Sequence, residues 1–106
     1  KPFFLVGSPG GTTITMGNLQ AILNVMDFNM TAQEAVSAPR FTATSDTIEI
    51  TNRTFRSTER ELQARGYPTR RHAVSHMMPH VHGIRIVDGK LDGGADPSND
   101  GMAAQV

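Results

Sequence analysis

The sequence contains no cysteine, and this absence removes several kinds of chemistry at once. A chain without thiols forms no disulfide, builds no zinc site from thiolates and has no cysteine nucleophile. Tryptophan is absent as well, and only 6% of the residues are aromatic. With so few large anchors, a chain of 106 residues can bury only a modest core.

Neither sign of charge is in excess, since ten basic residues balance ten acidic ones. This balance gives no electrostatic footprint for a nucleic acid or an anionic membrane, and we expect neither as a partner. No apolar run approaches the roughly 20 residues that cross a bilayer, so we also expect no membrane span.

Hydrophobic periodicity predicts an α+β chain with the element order β, α, α, β, α, β, β. Three segments run apolar or alternate in the manner of strands: Phe3–Val6, Thr47–Ile50 and His82–Val87. Asp88-Gly89 is the signal of a tight hairpin, so the last strand should return through Lys90-Leu91. The glycine-rich stretch 93–101 is predicted to be loop.

Three other segments have helical spacing. The first, Thr12–Asp27, is predicted to bury a face formed by large apolar residues at i, i+3, i+4 and i+7, namely Leu19, Ile22, Leu23 and Met26. Thr31–Glu34 has the spacing of a capping box, and Pro39 should end that second helix. Thr58–Glu61 is another capping-box candidate, opening a helix that Gly66 should end.

The start of the chain bears on its organisation. Lys1-Pro2 leads at once into an apolar strand, so we expect the chain to be cut from a longer protein or processed. The predicted strands are too few to close a sheet alone. We therefore expect residues 1–106 to be one segment of a larger protein and not an independent domain.

The stretch Gly7-Ser8-Pro9-Gly10-Gly11 follows a strand and opens a helix, an arrangement suited to binding an anion with backbone amides. A phosphate loop would need a lysine where Thr12 stands, and the dinucleotide fingerprint has a different glycine spacing. An oxyanion hole needs only one or two N–H groups, which Gly10 and Gly11 can provide. Two glycines that only make a tight turn would have the same local sequence.

Four blocks follow one another along the chain. They are Phe4–Gly11 with the following helix Asn18–Asp27, then Gln33–Phe41, which ends in Ala-Pro-Arg-Phe, then Leu62–Tyr67, and finally Gly94–Gly101 with its Gly-Ala-Asp-Pro. Together these blocks resemble the γ-glutamyltranspeptidase family. The blocks extend over nearly the whole chain, which makes the resemblance far more specific than a lone pair of glycines.

The resemblance implies that the chain is the C-terminal segment of the small subunit of an N-terminal-nucleophile hydrolase, part of a four-layer αββα sandwich. It implies a γ-glutamyltransferase-like amide hydrolase or acyltransferase, in which Gly10 and Gly11 occupy the positions of the oxyanion-hole glycines. The family nucleophile is a threonine at a self-cleaved N-terminus. Because Lys1 stands first here, we expect that threonine upstream, together with the residues that bind the substrate.

The same resemblance implies partners and location. The expected partners are the remainder of the same enzyme, both its large subunit and the N-terminal part of its small subunit, and a small γ-glutamyl or related amide substrate. No cofactor and no metal is implied. Family members are commonly exported, which favours the periplasm or secretion over the cytosol.

Two stretches depart from the family pattern. Thr12-Thr13 stand where the family often has Ser-Arg, and Met78–His82 stand where many members have Met-Gly-Ser-x-Gln. Relatives that act on other amides include acylases and capsule-processing enzymes. These departures, with Lys1, also motivate an alternative: a non-catalytic homologue that binds a peptide or an amino-acid derivative.

All four histidines lie within eleven residues, at positions His72, His76, His80 and His82. On the predicted elements, the first two would share a helix face and the last two a strand face, which is one arrangement of metal ligands. Pro79 breaks any helix between the two pairs, and no neighbouring carboxylate completes a ligand set. We therefore expect a polar loop and no metal.

Four further candidates have an ordinary structural interpretation. Ser8 lacks a nucleophile elbow, so its hydroxyl is expected to brace the turn. Arg40 could bind a ligand carboxylate but is expected to form a structural ion pair. Asp96 and Asp100 resemble an acid–base pair, yet their neighbours favour turn chemistry. Arg70-Arg71 is expected to be a solvated face.

Overall fold

A computed structural model describes residues 2–73 and 78–104. The described residues form three α-helices and six strands, which confirms the predicted α+β class. In chain order these are β1 (Phe4–Gly7), α1 (Ile14–Met26), α2 (Ala32–Ser37), β2 (Phe41–Thr42), β3 (Ile48–Thr51), α3 (Arg56–Ala64), β4 (Thr69–His72), β5 (His82–Val87) and β6 (Lys90–Gly94).

The strands form two three-stranded sheets. The first has the order β1-β5-β6 and is antiparallel throughout, with Leu5 opposite Ile84. The predicted hairpin between β5 and β6 is confirmed, because Asp88 and Gly89 both have positive φ angles, of 50° and 75°. The second sheet has the order β2-β3-β4, and in it β3 and β4 run parallel.

Strand β6 continues to Gly94, so the prediction of loop at Gly93 and Gly94 is wrong. At Gly94 the strand passes so close to α2 that a Cβ atom would lie 2.5 Å from the carbonyl carbon of Ala32. The glycine that looked like a loop residue is therefore required by close packing of a strand against a helix.

Local capping rules succeeded for α2 and failed for α3. Thr31 and Glu34 form the predicted capping box, and α2 ends two residues before Pro39. Helix α3 begins at Arg56, so Thr58 already lies in its first turn and makes no cap. Gly66, with a φ angle of 92°, ends this helix as predicted.

Helix α1 buries a different face from the predicted one. Its buried residues are the small ones at i, i+4 and i+8, which are Gly17, Ala21 and Val25. The larger apolar residues lie outside the core of this chain, with exposed fractions of 43% for Leu19, 40% for Leu23 and 63% for Met26. The small residues let α1 approach closely, and Ala21 packs with Val36 and Val81 in the core.

The core thus lies between the first sheet and the two helices that cover one of its faces, α1 against β1 and α2 against β5 and β6. None of the described helices is long and apolar enough to cross a membrane.

Candidate active site

The glycine turn connects β1 to α1 and has a backbone path that only glycine adopts readily. Gly10 has a φ angle of 141° and Gly11 of 62°, and both residues are exposed. The carbonyl oxygen of Gly10 accepts hydrogen bonds from the amide and the hydroxyl of Thr13, at 3.3 and 2.8 Å. Neither glycine amide donates a hydrogen bond to another residue in the described ranges 2–73 and 78–104.

The turn is fixed to the helix that follows it. The hydroxyl of Ser8 donates a hydrogen bond of 3.0 Å to Oδ1 of Asn18, in the second turn of α1. This confirms the bracing role predicted for Ser8. The Ser8 contact at one end and the Thr13 contacts at the other hold the turn in place. The two glycine amides at the start of the helix have no acceptor within residues 2–73 and 78–104.

A buried ion pair between Arg40 and Asp96 lies behind this region. Both residues are almost fully buried, with exposed fractions of 2% and 0%. Oδ2 of Asp96 accepts hydrogen bonds from the Arg40 guanidinium and from the Val81 amide, the latter at 3.0 Å. Oδ1 accepts from the amide and hydroxyl of Ser98, at 3.0 and 2.6 Å.

The ion-pair prediction for Arg40 and the turn prediction for Asp96 are both confirmed, but their pairing was missed. Burial raises the pKa of Asp96, but hydrogen bonds from Ser98 and Val81 and the charge of Arg40 outweigh it, so this pKa lies below its ordinary value. Burial lowers the pKa of Arg40, by more than the Asp96 charge raises it.

Arg40 also joins three separate parts of the chain. Its guanidinium donates to the carbonyl oxygens of Val36, at 2.7 Å, and Pro79, at 3.2 Å. Its backbone amide donates to Oγ1 of Thr51, at 3.1 Å. The side chain therefore links the end of α2, the approach to β5 and the tail that carries Asp96.

The histidines are not brought together as the metal hypothesis required. His72 lies in strand β4, so the prediction that it lies on a helix is wrong. His76, its predicted partner on that helix, is outside the described residues. Nε2 of His72 lies 3.0 Å from Oε1 of Glu49. His80 precedes β5 and His82 begins it. Across 2–73 and 78–104, no group of three or more His, Cys, Asp or Glu side chains could hold a metal ion.

Nδ1 of His82 accepts a hydrogen bond of 3.4 Å from the Asp96 amide, a contact that sequence reasoning did not anticipate. This contact links the first residue of β5 to Asp96, the acidic partner of Arg40. Asp100, the other predicted turn residue, is exposed and lies in a turn, as predicted.

The predicted solvated face at Arg70-Arg71 is correct for Arg70 and wrong for Arg71. Adjacent residues of a strand point to opposite faces, so the two arginines are separated. The Arg71 side chain is largely covered and donates to the Glu59 carboxylate, at 2.6 and 3.0 Å, and to two backbone carbonyls. The hydrogen bonds that Arg71 donates to the Glu59 carboxylate, together with its charge, lower the pKa of Glu59.

Comparison with solved structures identifies the class of fold. The crystal structure of a γ-glutamyltranspeptidase variant from Helicobacter pylori superposes with a TM-score of 0.80 and 36% sequence identity, over 92% of this chain and 54% of that one. The described residues therefore have a fold found in N-terminal-nucleophile hydrolases of the γ-glutamyltranspeptidase type.

Comparison of the sequence with protein families identifies the family to which the chain belongs. The family model described as gamma-glutamyltranspeptidase matches residues 1–106, and the chain belongs to the γ-glutamyltranspeptidase family. The glutathione hydrolase proenzyme of Escherichia coli is 31% identical over 100 residues, which are 92% of this chain and 17% of the proenzyme. The acylase ACY 1 proenzyme of a Pseudomonas species (strain V22) is 39% identical over 64 residues, 60% of this chain and 12% of that protein.

Proposed function

We propose that residues 1–106 supply the C-terminal part of an amide-bond hydrolase or acyltransferase, in which the amides of Gly10 and Gly11 bind the oxyanion. The observation that carries this proposal is a pair of consecutive exposed amides, free of acceptors among the described residues, in a chain matched along its whole length to one enzyme family. Relatives named as a glutathione hydrolase and an acylase support amide substrates.

In the proposed reaction, a threonine hydroxyl from the remainder of the enzyme attacks the carbonyl carbon of the amide, and its α-amine takes the proton. The carbonyl π electrons move to oxygen, and the resulting oxyanion accepts hydrogen bonds from Gly10 and Gly11. Collapse of this intermediate expels the amine, which takes up the proton, and leaves an ester. Water or another amine then attacks the ester carbonyl and gives a proton to the α-amine. The bond to the threonine oxygen breaks, that oxygen takes up the proton, and the acid or the new amide is released.

This role needs donors that are in place before the charge develops. The positive φ angles of Gly10 and Gly11 turn two successive amides away from the regular helix pattern, and the bond from Ser8 to Asn18 ties the turn to α1. Such a preorganised donor typically contributes roughly 10²–10³ to kcat.

The test replaces one donor atom in the complete protein that carries residues 1–106. An α-hydroxy acid incorporated in place of Gly11 exchanges its N–H for an ester oxygen and adds no side chain. We expect kcat for a chromogenic γ-glutamyl anilide, or for an acyl amide if that is the better substrate, to fall roughly 10²- to 10³-fold with little change in KM.

The matched control is the same replacement at Gly89, which also has a positive φ angle and open space around it but lies in the β5–β6 hairpin. An unchanged kcat in the Gly11 ester would contradict the oxyanion role. A parent protein that binds γ-glutamyl compounds but neither cleaves itself nor turns them over would favour the alternative of a non-catalytic binding protein.

A further inference from the structure

Pro79 fills the space between the glycine turn and the first part of α1. A Cβ atom placed on Gly17 would lie only 2.5 Å from Cγ of Pro79, and one placed on Gly10 would lie 3.1 Å from its Cβ. Pro79 and Gly17 are both buried. The proline ring therefore touches the backbone of the turn and the backbone of the helix at once, and only residues without a Cβ allow that approach.

Gly17 has no other evident reason to be a glycine. It lies inside α1, where glycine destabilises a helix relative to alanine, and it does not have a positive φ angle. The contact with Pro79 explains it. A pyrrolidine ring changes only its pucker, so it cannot move aside as the end of a flexible side chain would.

Pro79 is also fixed from its far side. Its carbonyl oxygen accepts a hydrogen bond of 3.2 Å from Arg40, whose guanidinium is paired with Asp96. The same Asp96 carboxylate accepts from the amide of Val81, two residues beyond the proline, at 3.0 Å. The backbone that follows the ring is therefore held by two buried hydrogen bonds.

We propose that Pro79 is a positioning residue for the Gly10-Gly11 turn, and that Gly17 is its required partner on α1. The inference rests on the proposed function. The ring forms a rigid support behind Gly10 and sets the distance between the turn and the helix, so it determines where the two amides point. Misplacing a reacting group by about 1 Å can lower a rate roughly 10²-fold, so a small shift of this turn has a measurable effect.

The experiment compares four forms of the complete protein: the parent, Pro79→Ala, Gly17→Ala and the double variant. Pro79→Ala removes the ring atoms that face Gly17, and Gly17→Ala drives a methyl group into them. We expect each single change to lower kcat roughly 10- to 10²-fold with KM nearly unchanged. In the double variant the new methyl group occupies the vacated space, so its kcat should exceed that of either single variant.

The measured kcat is divided by the number of active sites, titrated with an electrophilic γ-glutamyl analogue. A merely structural role would reduce the number of active sites and leave the rate per site unchanged. Pro68→Ala, at an exposed proline ahead of β4, is the matched control and should keep the parent kcat.

Two outcomes distinguish a failure of the positioning role of Pro79 from a failure of the proposed function. If the parent is active and Pro79→Ala retains its full kcat per site, the positioning role is overturned and the proposed function stands, even where Gly17→Ala fails to fold. If the parent has no acyl-transfer activity, the proposed function is overturned and the role of Pro79 with it.

Discussion

Removing the carboxylate of Asp96 should be among the most damaging single changes in the described residues. Asp96→Ala leaves the buried guanidinium of Arg40 without its negative partner, and it removes the acceptor of the Val81 amide and of both Ser98 donors. Breaking a buried pair by removing one member costs about 3–5 kcal/mol, because the remaining charge stays desolvated. We expect a loss of that size in the complete protein.

Hydrogen exchange measured by mass spectrometry is the appropriate assay, since it reports local opening in a protein of several parts. A useful probe is the amide of Thr51, which donates to the carbonyl oxygen of Arg40 and not to the substituted side chain. A loss of about 3–5 kcal/mol corresponds to exchange faster by roughly 10²-fold or more under conditions in which the opened segment recloses faster than its amides exchange.

Ser98→Ala is the matched control, because it removes only the hydroxyl bond to Asp96 and keeps the ion pair. Its expected cost is about 1 kcal/mol. If Asp96→Ala and Ser98→Ala had equal effects at Thr51, the ion pair would contribute no more than one neutral hydrogen bond, and the reasoning would be wrong.

Three further predictions concern stability. The pKa of Asp96 is lowered below its ordinary value of 3.8, so the stability that its charge contributes is fully present above that pH. This stability is lost as the pH falls through the lowered pKa. In Asp96→Asn, the free energy of unfolding should therefore fall less steeply as the solution is acidified. Leu23→Ala should cost about 2–5 kcal/mol in the complete protein, where we expect other parts to cover this face, and under about 1 kcal/mol if the face stays exposed. Residues 1–106 expressed alone should be insoluble or molten, and cooperative thermal unfolding of a soluble monomer would contradict this.

Features set by neighbouring residues could be predicted from the sequence. The capping box at Thr31, the hairpin at Asp88-Gly89 and the helix end at Gly66 each depend on a few consecutive residues whose φ angles or hydrogen bonds are nearly obligatory. Strand β4 was not predicted, because Thr-Arg-Arg-His has no alternation of apolar residues. It is a strand because its backbone pairs with β3, where Thr69 lies opposite Ile48.

Features that depend on distant residues could not be predicted in this way. Arg40 and Asp96 are 56 positions apart, and nothing in either local sequence specifies the other as its partner. The buried face of α1 was missed because the pattern was judged by the size of its apolar residues. Pro79, far from Gly17 in sequence but packed against it in space, leaves room only for glycine. A glycine adds nothing to a hydrophobic pattern, so the sequence does not mark Gly17 as buried.

The first sheet gives a physical reason to expect a second layer of strands in the complete protein. Helices α1 and α2 cover one of its faces. On the other face, Leu5 lies opposite Ile84, and two residues further along β5 Ile86 pairs with Leu91 on the same face. Leu5 is 54% exposed and Leu91 65%. The sheet is therefore apolar on both faces, although helices cover only one of them. This is typical of a central layer, because an antiparallel sheet with one face in water would have polar residues on that face. The four-layer sandwich predicted for the complete enzyme would cover this face with a second sheet, on the side away from the helix that follows the glycine turn.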